Sequence, residues 1–489
     1  MENTPTPIVT RFAPSPTGLL HVGAVRTALF AYFFARKHKG TFLLRIEDTD
    51  KKREFPGAVQ QIIDSLTFLG IDYDFGPDKP SPVFGSLIQS ERLPIYHKYA
   101  LELAEKGLAY VDNYTDEEIE SFRLKADEEK RPFLFRDHRP EVLNHTWSVG
   151  KSLRFKVHEV KKTIWTDAVR GELEAGEEAL DDFILMKEDG YPTYNFCHII
   201  DDIEMKVTHV MRGQEFISSV PKFLSLYAAL EIIPPVFVTL PPVLGETGGK
   251  KLSKRDGAKS ALDYRDAGYL SAALFNFLAF LGWNPGGERE IYTQKELTEI
   301  FNLNQIQKSG ARFNPEKLDW YNKEYVRMLP TEVVETKLLS YFRKENYPET
   351  VYGRIIRMIP IARERAVTFT SYHNDFIMGE YDYLINAPNY DSVSLVWKKG
   401  TLEKTKIILD SLLTIAKSSL DDAEVLEKTK ELAVKDGNGD VLWPLRVALS
   451  GKEKSPDPYT LLHVLGKTET ALRLTNAINS LTNADNVVN

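Results

Sequence analysis

A chain of 489 residues is longer than one hydrophobic core can serve, so three or four domains are expected, with boundaries in polar linkers. At 43% hydrophobic and 27% charged residues it has the makeup of a foldable soluble protein. It holds no run apolar enough to cross a bilayer, which excludes membrane insertion. The net charge of −8 excludes a general basic coat, so any nucleic-acid binding must rest on local patches.

The lone Cys197 can form no internal disulfide, and the start "MENTPTPIVTRF" has no basic segment ahead of an apolar stretch; both fit a reducing cytoplasm. Residues 8–47 read as strand "IVTRFA", loop "PSPTGLL", a helix from about His21 to Lys37, and strand "TFLLRIE", a βαβ unit. Apolar Val22, Val25, Ala28, Leu29 and Phe33 give the helix one inward stripe, Lys37 and Lys39 suit its C-terminus, and Gly40 stops it. A second helix is expected near 56–70, and an amphipathic one within "ERLPIYHKYALELAEKGLAYV". Thr115 with Glu118 forms a capping-box pattern at the start of "YTDEEIESFRLKA".

Residues 112–190 read as an insertion. "DDIEMKVTHVMRG" is then expected to resume the strands, followed by a helix across Lys222–Leu230 and strand "PVFVTLPPVL", so that the two halves form one split parallel sheet. Beyond Asp263 the pattern is helical to the end. "YLSAALFNFLAFLGW" reads as one stripe, "TQKELTEIF" opens with a capping box, and Leu409, Leu412, Leu413 and Ala416 make a third helix face. From Val326 onward 21 Lys and Arg stand against 22 Asp and Glu, a near-neutral helical region.

Two loops carry the chemistry. A helix N-terminus offers unpaired N–H groups and partial positive charge, and the turns at Pro14, Pro16 and Gly18 let backbone approach a phosphate. His21 either adds a donor to that cradle or only caps the helix. The second loop, "GKKLSKRDG", sets Lys250, Lys251, Lys254 and Arg255 around Ser253 at the carboxyl end of a late strand, where open α/β sheets bind ligands. Alone it reads as a solvated charge run. Paired with the first loop it offers the cations that a pentavalent transition state at phosphorus needs.

"HVGA" after "PSPTG" resembles the HIGH signature, and "KLSKR" the KMSKS signature, of class I aminoacyl-tRNA synthetases. With "RFAPSPTG", "LRIEDTD", "DDIEMKVTHVMRG" and "KLSKRDGA", the chain resembles the glutamyl-tRNA synthetases of bacterial type. The resemblance runs from Arg11 to about Lys259 in blocks and returns weakly in "PLRVALSG" and "LGKTETALRL". It implies an α/β fold with a Rossmann-type parallel-sheet catalytic domain (1–111 and 191–260). An α+β acceptor-binding insertion (112–190), a helical junction domain (261–325) and an all-helical anticodon-binding domain (326–489) complete it.

The same resemblance implies ATP bound by Pro14, Thr17, Gly18, His21, Gly23, Glu215, Lys254 and Arg255, with His21, Lys251 and Lys254 as catalytic residues, His21 meeting the phosphates and Lys254 assisting departure of pyrophosphate. Glutamate would lie among Arg11, Ala13, Ser15, Glu47, Tyr194, His198 and Arg212: Arg11 and Tyr194 on the side-chain carboxylate, Ser15 and Glu47 on the ammonium, Arg212 on the α-carboxylate. A guanidinium fork suits a carboxylate, although Glu47 could instead pair with Arg45 or Arg53. Mg²⁺ is implied with ATP, with Asp48 and Asp50 as candidate helpers. Zinc is not expected, because Asp112, Asn113 and Tyr114 stand where relatives carry cysteines. The partners implied are tRNA(Glu) and L-glutamate, without DNA or membrane, and a monomer is expected. In the insertion, "KSLRFKVHEVKK" and Trp165 either grip the acceptor stem or form an ordinary hairpin with a charged face. Tyr352, Arg354, Arg357 and Arg363 are candidates for reading anticodon bases. Three rivals stay open: a glutaminyl enzyme of the same subclass, a small-molecule nucleotidyltransferase, and a non-catalytic RNA-binding module.

Overall fold

The computed structural model describes residues 7–18, 20–252 and 259–488, the last six by backbone alone. Lys254 and Arg255 therefore lie outside the described residues. The chain forms two compact units, Met1–Tyr321 and Asn322–Asn489. Among the described residues no helix is long and apolar enough to cross a membrane.

The first unit opens with β1 (Val9–Phe12), α1 (Val22–Lys37) and β2 (Thr41–Leu44), the two strands parallel with Val9 opposite Thr41 and Phe12 opposite Leu44. The strand returns next to β1 because Gly40 has no side chain: a Cβ there would sit 2.3 Å from the Ile8 carbonyl oxygen, which accepts the Thr41 N–H. Gly40→Ala is expected to cost about 1–3 kcal/mol through that clash, read as a lower urea midpoint. The helix is not a single-stripe helix. Val22, Val25, Ala28, Leu29, Phe30, Ala31 and Phe33 are all fully buried, because a second layer covers the face away from the sheet. Phe33 meets Phe275 at 5.4 Å and Phe301 at 5.3 Å.

After α2 (Ala58–Leu69) and α3 (Leu93–Glu105) comes β3 (Ala109–Asp112), then α4 (Asp116–Glu128), whose Thr115–Glu118 capping box is formed. Strands β4 (Ser152–Phe155), β5 (Thr163–Asp167), β6 (Gly171–Ala175) and β7 (Ile184–Met186) follow. β4 is the centre of the antiparallel sheet β3-β4-β7, with Leu153, Arg154 and Phe155 buried and Arg154 paired to Asp112. "SLRFKVHE" is thus a core strand, not a hairpin with a charged outer face, and Trp165 is buried.

Helix α5 (Tyr194–Glu204) takes in the "DDIE" expected as strand; only β8 (His209–Gly213) is extended. On a strand Asp201 and Asp202 would face opposite ways, whereas the helix turns both into a buried cluster of arginines. After α6 (Val220–Ala229), β9 (Val236–Leu240) pairs in parallel with β8. Its other neighbour is β5, so the sheet runs β6-β5-β9-β8 and includes part of the insertion. Asp167 accepts from the Thr239 N–H (3.0 Å) and hydroxyl (2.6 Å), which pins the hairpin there. The expected single split sheet is two ladders. They meet where Val9 and Thr208 exchange hydrogen bonds: the Thr208 N–H donates to the Val9 carbonyl, and the Thr208 hydroxyl accepts the Val9 N–H in the place of a strand carbonyl.

The unit closes with β10 (Val243–Leu244), α7 (Ala261–Asp266), α8 (Ser271–Ala279), α9 (Gln294–Ile300) and β11 (Ala311–Arg312); α10 (Pro315–Met328) runs on past its end. β11 pairs with β10, a short strand that the helical pattern did not signal. α8 is buried on every side from Ala273 to Ala279 rather than along one stripe.

The second unit is helical: α11 (Thr331–Phe342), α12 (Glu349–Arg357), α13 (Ile359–Arg365), α14 (Phe369–Ile377), α15 (Leu402–Ser418), α16 (Asp422–Asp436), α17 (Asn438–Ser450) and α18 (Pro458–Val488), the last kinked at Gly466. Leu409, Leu412 and Ala416 are buried, Leu413 half-buried. The residues expected to read bases are drawn into this fold. Tyr352 is buried and accepts the Tyr347 N–H, and Arg354 pairs with Glu469 at 2.9 Å. Arg363 donates to the Leu329 carbonyl. Arg357, the exposed one of the four, donates to the carbonyls of His463 and Val464.

Candidate active site

Arg11 stands near the carboxyl end of β1, and the loop after it is held by its own carbonyls: Pro14 accepts from the Glu47 N–H (3.0 Å), Pro16 from that of Phe55 (2.8 Å). Gly18 has φ of 149°, a conformation open to glycine. His21 is the N-cap of α1, and its Nδ1 accepts the Ala24 N–H at 3.3 Å. A ring nitrogen that accepts carries no proton, so the neutral imidazole holds its hydrogen on Nε2, as a donor. Gly23 leaves room for the ring, since a Cβ there would lie 3.1 Å from its Cε1 and Nδ1. The two readings of His21 are therefore compatible.

The stretches before and after residues 253–258 both reach this loop. Ser260 bridges His21 in an antiparallel pair, the Lys259 carbonyl accepts the Val22 N–H, and Lys251 and Leu252 share a cavity with His21. That cavity, of about 450 Å³, is lined by Arg11, Ala13, Pro14, Ser15, Thr17, Gly18, His21, Gly23, Glu47, Tyr194, Arg212, Glu215 and Lys251. Apart from Lys254 and Arg255, every expected site residue lines it except His198. Lys251 is bound to Glu215 at 2.9 Å, at the cavity rim where both are about half exposed.

His198 lies behind the wall. It is 1% exposed, its ring stacks on Tyr194 at 4.6 Å, and its Nδ1–H donates to the Tyr194 carbonyl at 2.6 Å. Burial, with Arg212 nearby, holds its pKa well below the ordinary value, so it is a neutral prop for Tyr194 rather than a ligand. Burial likewise raises the Tyr194 hydroxyl to about 12, which keeps it a donor at neutral pH.

Arg212, at the end of β8, is 7% exposed and packed against Phe216, Phe223 and Phe237 at 5.3, 5.1 and 5.9 Å. Its Nε and Nη1 have no hydrogen-bond partner among the described residues. A buried guanidinium left unsatisfied costs about 1–3 kcal/mol, so its presence in a cavity wall points to an anion that completes it. Glu47 pairs with Arg45 (3.0 Å) and also faces the cavity; burial raises its carboxyl, against the pull of Arg45 and Arg11. Arg53 pairs with Asp50 instead.

The candidate magnesium helpers are occupied. Asp48 accepts from the Ser90 N–H and hydroxyl and pairs with Lys51. Among the described residues no group of three or more His, Cys, Asp or Glu is placed to hold a metal ion.

Sequence reasoning missed Asp202 behind the cavity and took Arg45 only as a possible partner of Glu47; the two are buried and salt-bridged to each other at 2.7 Å. The available signal was a charge inside an apolar pattern: Arg45 within "FLLRIE", and Asp202 four residues past His198 and eight past Tyr194 on one helix.

The sequence pattern described as "tRNA synthetases class I (E and Q), catalytic domain" matches residues 7–320, and an "Anticodon binding domain" pattern matches 331–478. A glutamate–tRNA ligase of Clostridium kluyveri is 38% identical over 97% of this chain and 98% of its own length. One from Thermodesulfovibrio yellowstonii is 37% identical, over 96% and 99%. A crystal structure of a glutamate tRNA ligase from Elizabethkingia meningosepticum in complex with its amino acid superposes with a TM-score of 0.86 at 32% identity, covering 97% of this chain and 99% of that one. With agreement of this length in both sequence and structure, the chain belongs to the class I tRNA synthetases of the E and Q type, among the glutamate–tRNA ligases.

Proposed function

We propose that this chain activates L-glutamate with ATP and transfers it to the terminal adenosine of tRNA(Glu), acting as a monomer in the cytoplasm. A glutamate carboxylate oxygen attacks the α-phosphorus, the bond to the β-phosphate oxygen breaks, and pyrophosphate leaves. The adenylate then passes its glutamyl group to the terminal ribose and AMP is released. No covalent enzyme intermediate is needed, so alignment and charge stabilisation supply the rate.

The observation that carries this reading is Arg212, a buried cation whose Nε and Nη1 have no partner among the described residues, in the same cavity as Arg11, Glu47 and the His21 loop. Arg11 and Tyr194 would take the side-chain carboxylate, Ser15 and Glu47 the ammonium, and Arg212 the α-carboxylate. The backbone from Pro14 to Gly18, with Thr17, His21, Gly23 and Glu215, would hold ATP. Lys251, Lys254 and Arg255 would meet its phosphates, with Mg²⁺ carried in on the triphosphate. Residues 112–190 would grip the acceptor stem, 261–325 would contact the stem junction, and 326–489 would read the anticodon.

The test is ATP–pyrophosphate exchange with tRNA(Glu) present, run with glutamate and with glutamine, followed by charging of both tRNAs separately. Exchange driven by glutamate and charging of tRNA(Glu) are expected. Exchange driven by glutamine in preference would move the chain to the glutaminyl branch, and turnover independent of tRNA after deletion of 326–489 would favour a small-molecule nucleotidyltransferase.

A further inference from the structure

Behind the cavity lies a chain of buried charges. Asp202 receives Arg11 through two bonds, Nε to Oδ1 at 3.0 Å and Nη2 to Oδ2 at 3.1 Å. Its Oδ1 also receives Arg45 Nη1 at 2.7 Å, and Arg45 Nη2 donates to Glu47 Oε1 at 3.0 Å. Arg45 is fully buried and Asp202 is 2% exposed; neither lines the cavity, whereas Arg11 and Glu47, the two ends of the chain, both do. We propose that Asp202 is a positioning residue that sets Arg11 directly and Glu47 through Arg45, and so fixes both the side-chain end and the ammonium end of the glutamate pocket. This inference rests on the glutamate reading above.

The geometry explains why one carboxylate does both. A fork bound through Nε and Nη2 cannot rotate about its long axis, so Arg11 is held in one orientation where it lines the cavity. Asp202 comes from the same face of α5 as Tyr194 and His198, at four-residue steps, so the partner expected for the side-chain carboxylate and the anchor of Arg11 move as one element. Charge gives a second consequence. Arg11 and Arg45 are balanced inside the protein by Asp202 and Glu47, while Asp201 is matched by Arg92 at 2.7 Å. Two guanidiniums of the cavity wall, Arg26 and Arg212, have no carboxylate partner among the described residues; Arg26 donates to the carbonyls of Leu281 and Pro241, whereas Arg212 has Nε and Nη1 without a hydrogen-bond partner there. Glutamate, with two carboxylates and one ammonium, brings a net negative charge that can pair with Arg212; glutamine brings none. Burial alone would raise the Asp202 carboxyl, yet Arg11 and Arg45 hold it well below the ordinary range, so it stays ionised in its role.

The experiment compares the full-length wild type, Asp202→Asn and Asp202→Glu in ATP–pyrophosphate exchange with tRNA(Glu), measuring KM for glutamate and for ATP and the preference for glutamate over glutamine. If the wild type is not driven by glutamate, the reading of the pocket fails and not this inference. Given a glutamate-driven wild type, Asp202→Asn is expected to raise the glutamate KM by about 10- to 100-fold with the ATP KM held within about threefold. The preference over glutamine should fall at least about tenfold, because a freed Arg11 no longer fixes the side-chain carboxylate. Asp202→Glu keeps the charge and should recover part of both losses; should the asparagine variant not fold, the glutamate variant carries the test through a smaller split in the same direction. A folded variant with unchanged glutamate KM, or one in which both KM values rise together, would overturn the proposal.

Discussion

Arg212→Met is expected to lower kcat/KM for glutamate by about 10²–10⁴-fold, the loss typical of removing one member of a buried, hydrogen-bonded charge pair. Its thermal unfolding midpoint should stay the same or rise. The reason for the second half lies in the free protein. Arg212 is buried among Phe216, Phe223 and Phe237 with Nε and Nη1 unpartnered among the described residues, and burial depresses its pKa, so the fold carries the desolvation of a charge that those residues do not satisfy. A thioether of similar length removes that cost and keeps the aromatic contacts. A residue that matters to folding alone would do the opposite, losing stability first. Exchange assays and calorimetry on the same preparation separate the outcomes: a drop in stability with glutamate kinetics intact would remove Arg212 from the amino-acid site.

His21 calls for two substitutions, because it caps α1 and also lines the cavity. Asparagine is a good N-cap and replaces the bond to the Ala24 N–H, but it does not place a donor where imidazole Nε2 stands. His21→Ala loses both functions. Both variants are expected to slow adenylate formation by about 10²–10³-fold, as loss of a transition-state donor does. The alanine variant alone should lose about 1 kcal/mol of stability with its cap. Single-turnover formation of adenylate, with urea unfolding of each variant, gives the two readouts independently. Wild-type rates in His21→Asn would assign the residue to the cap alone.

What could be read from the chain and what could not divide along the range of the interactions. The loop from Pro14 to Gly18, the cap at His21 and the boxes at Thr115 and Thr293 are local: partner and partner lie within four residues, so spacing alone exposes them. The gathering of Arg11, Glu47, Tyr194 and Arg212 at one cavity could be expected only through resemblance to a family, since those residues lie up to two hundred positions apart. The helix over Asp201 and Asp202 was misread as strand because its buried carboxylates break the apolar period. What makes the helix favourable there is Arg45 and Arg92, which lie more than a hundred positions earlier. His198 was misassigned for the same reason: on one helix face it shares a stripe with Tyr194, and only packing reveals that it stands behind the ring. The arginines of α12 and α13 show a similar limit: the chain alone does not reveal that backbone carbonyls and Glu469 already hold Arg354 and Arg363.

The attachment of the β5–β6 hairpin to β9 has a mechanical consequence. Asp167 clasps Thr239, and the chain after β9 runs within three residues into Pro241–Val243, part of the cavity wall. Residues 163–175 are thereby tied to the strand that leads into this part of the cavity wall, and are not a loose flap. A load borne by that hairpin would reach the wall as shear through a stiff bracket, with no slack to absorb it.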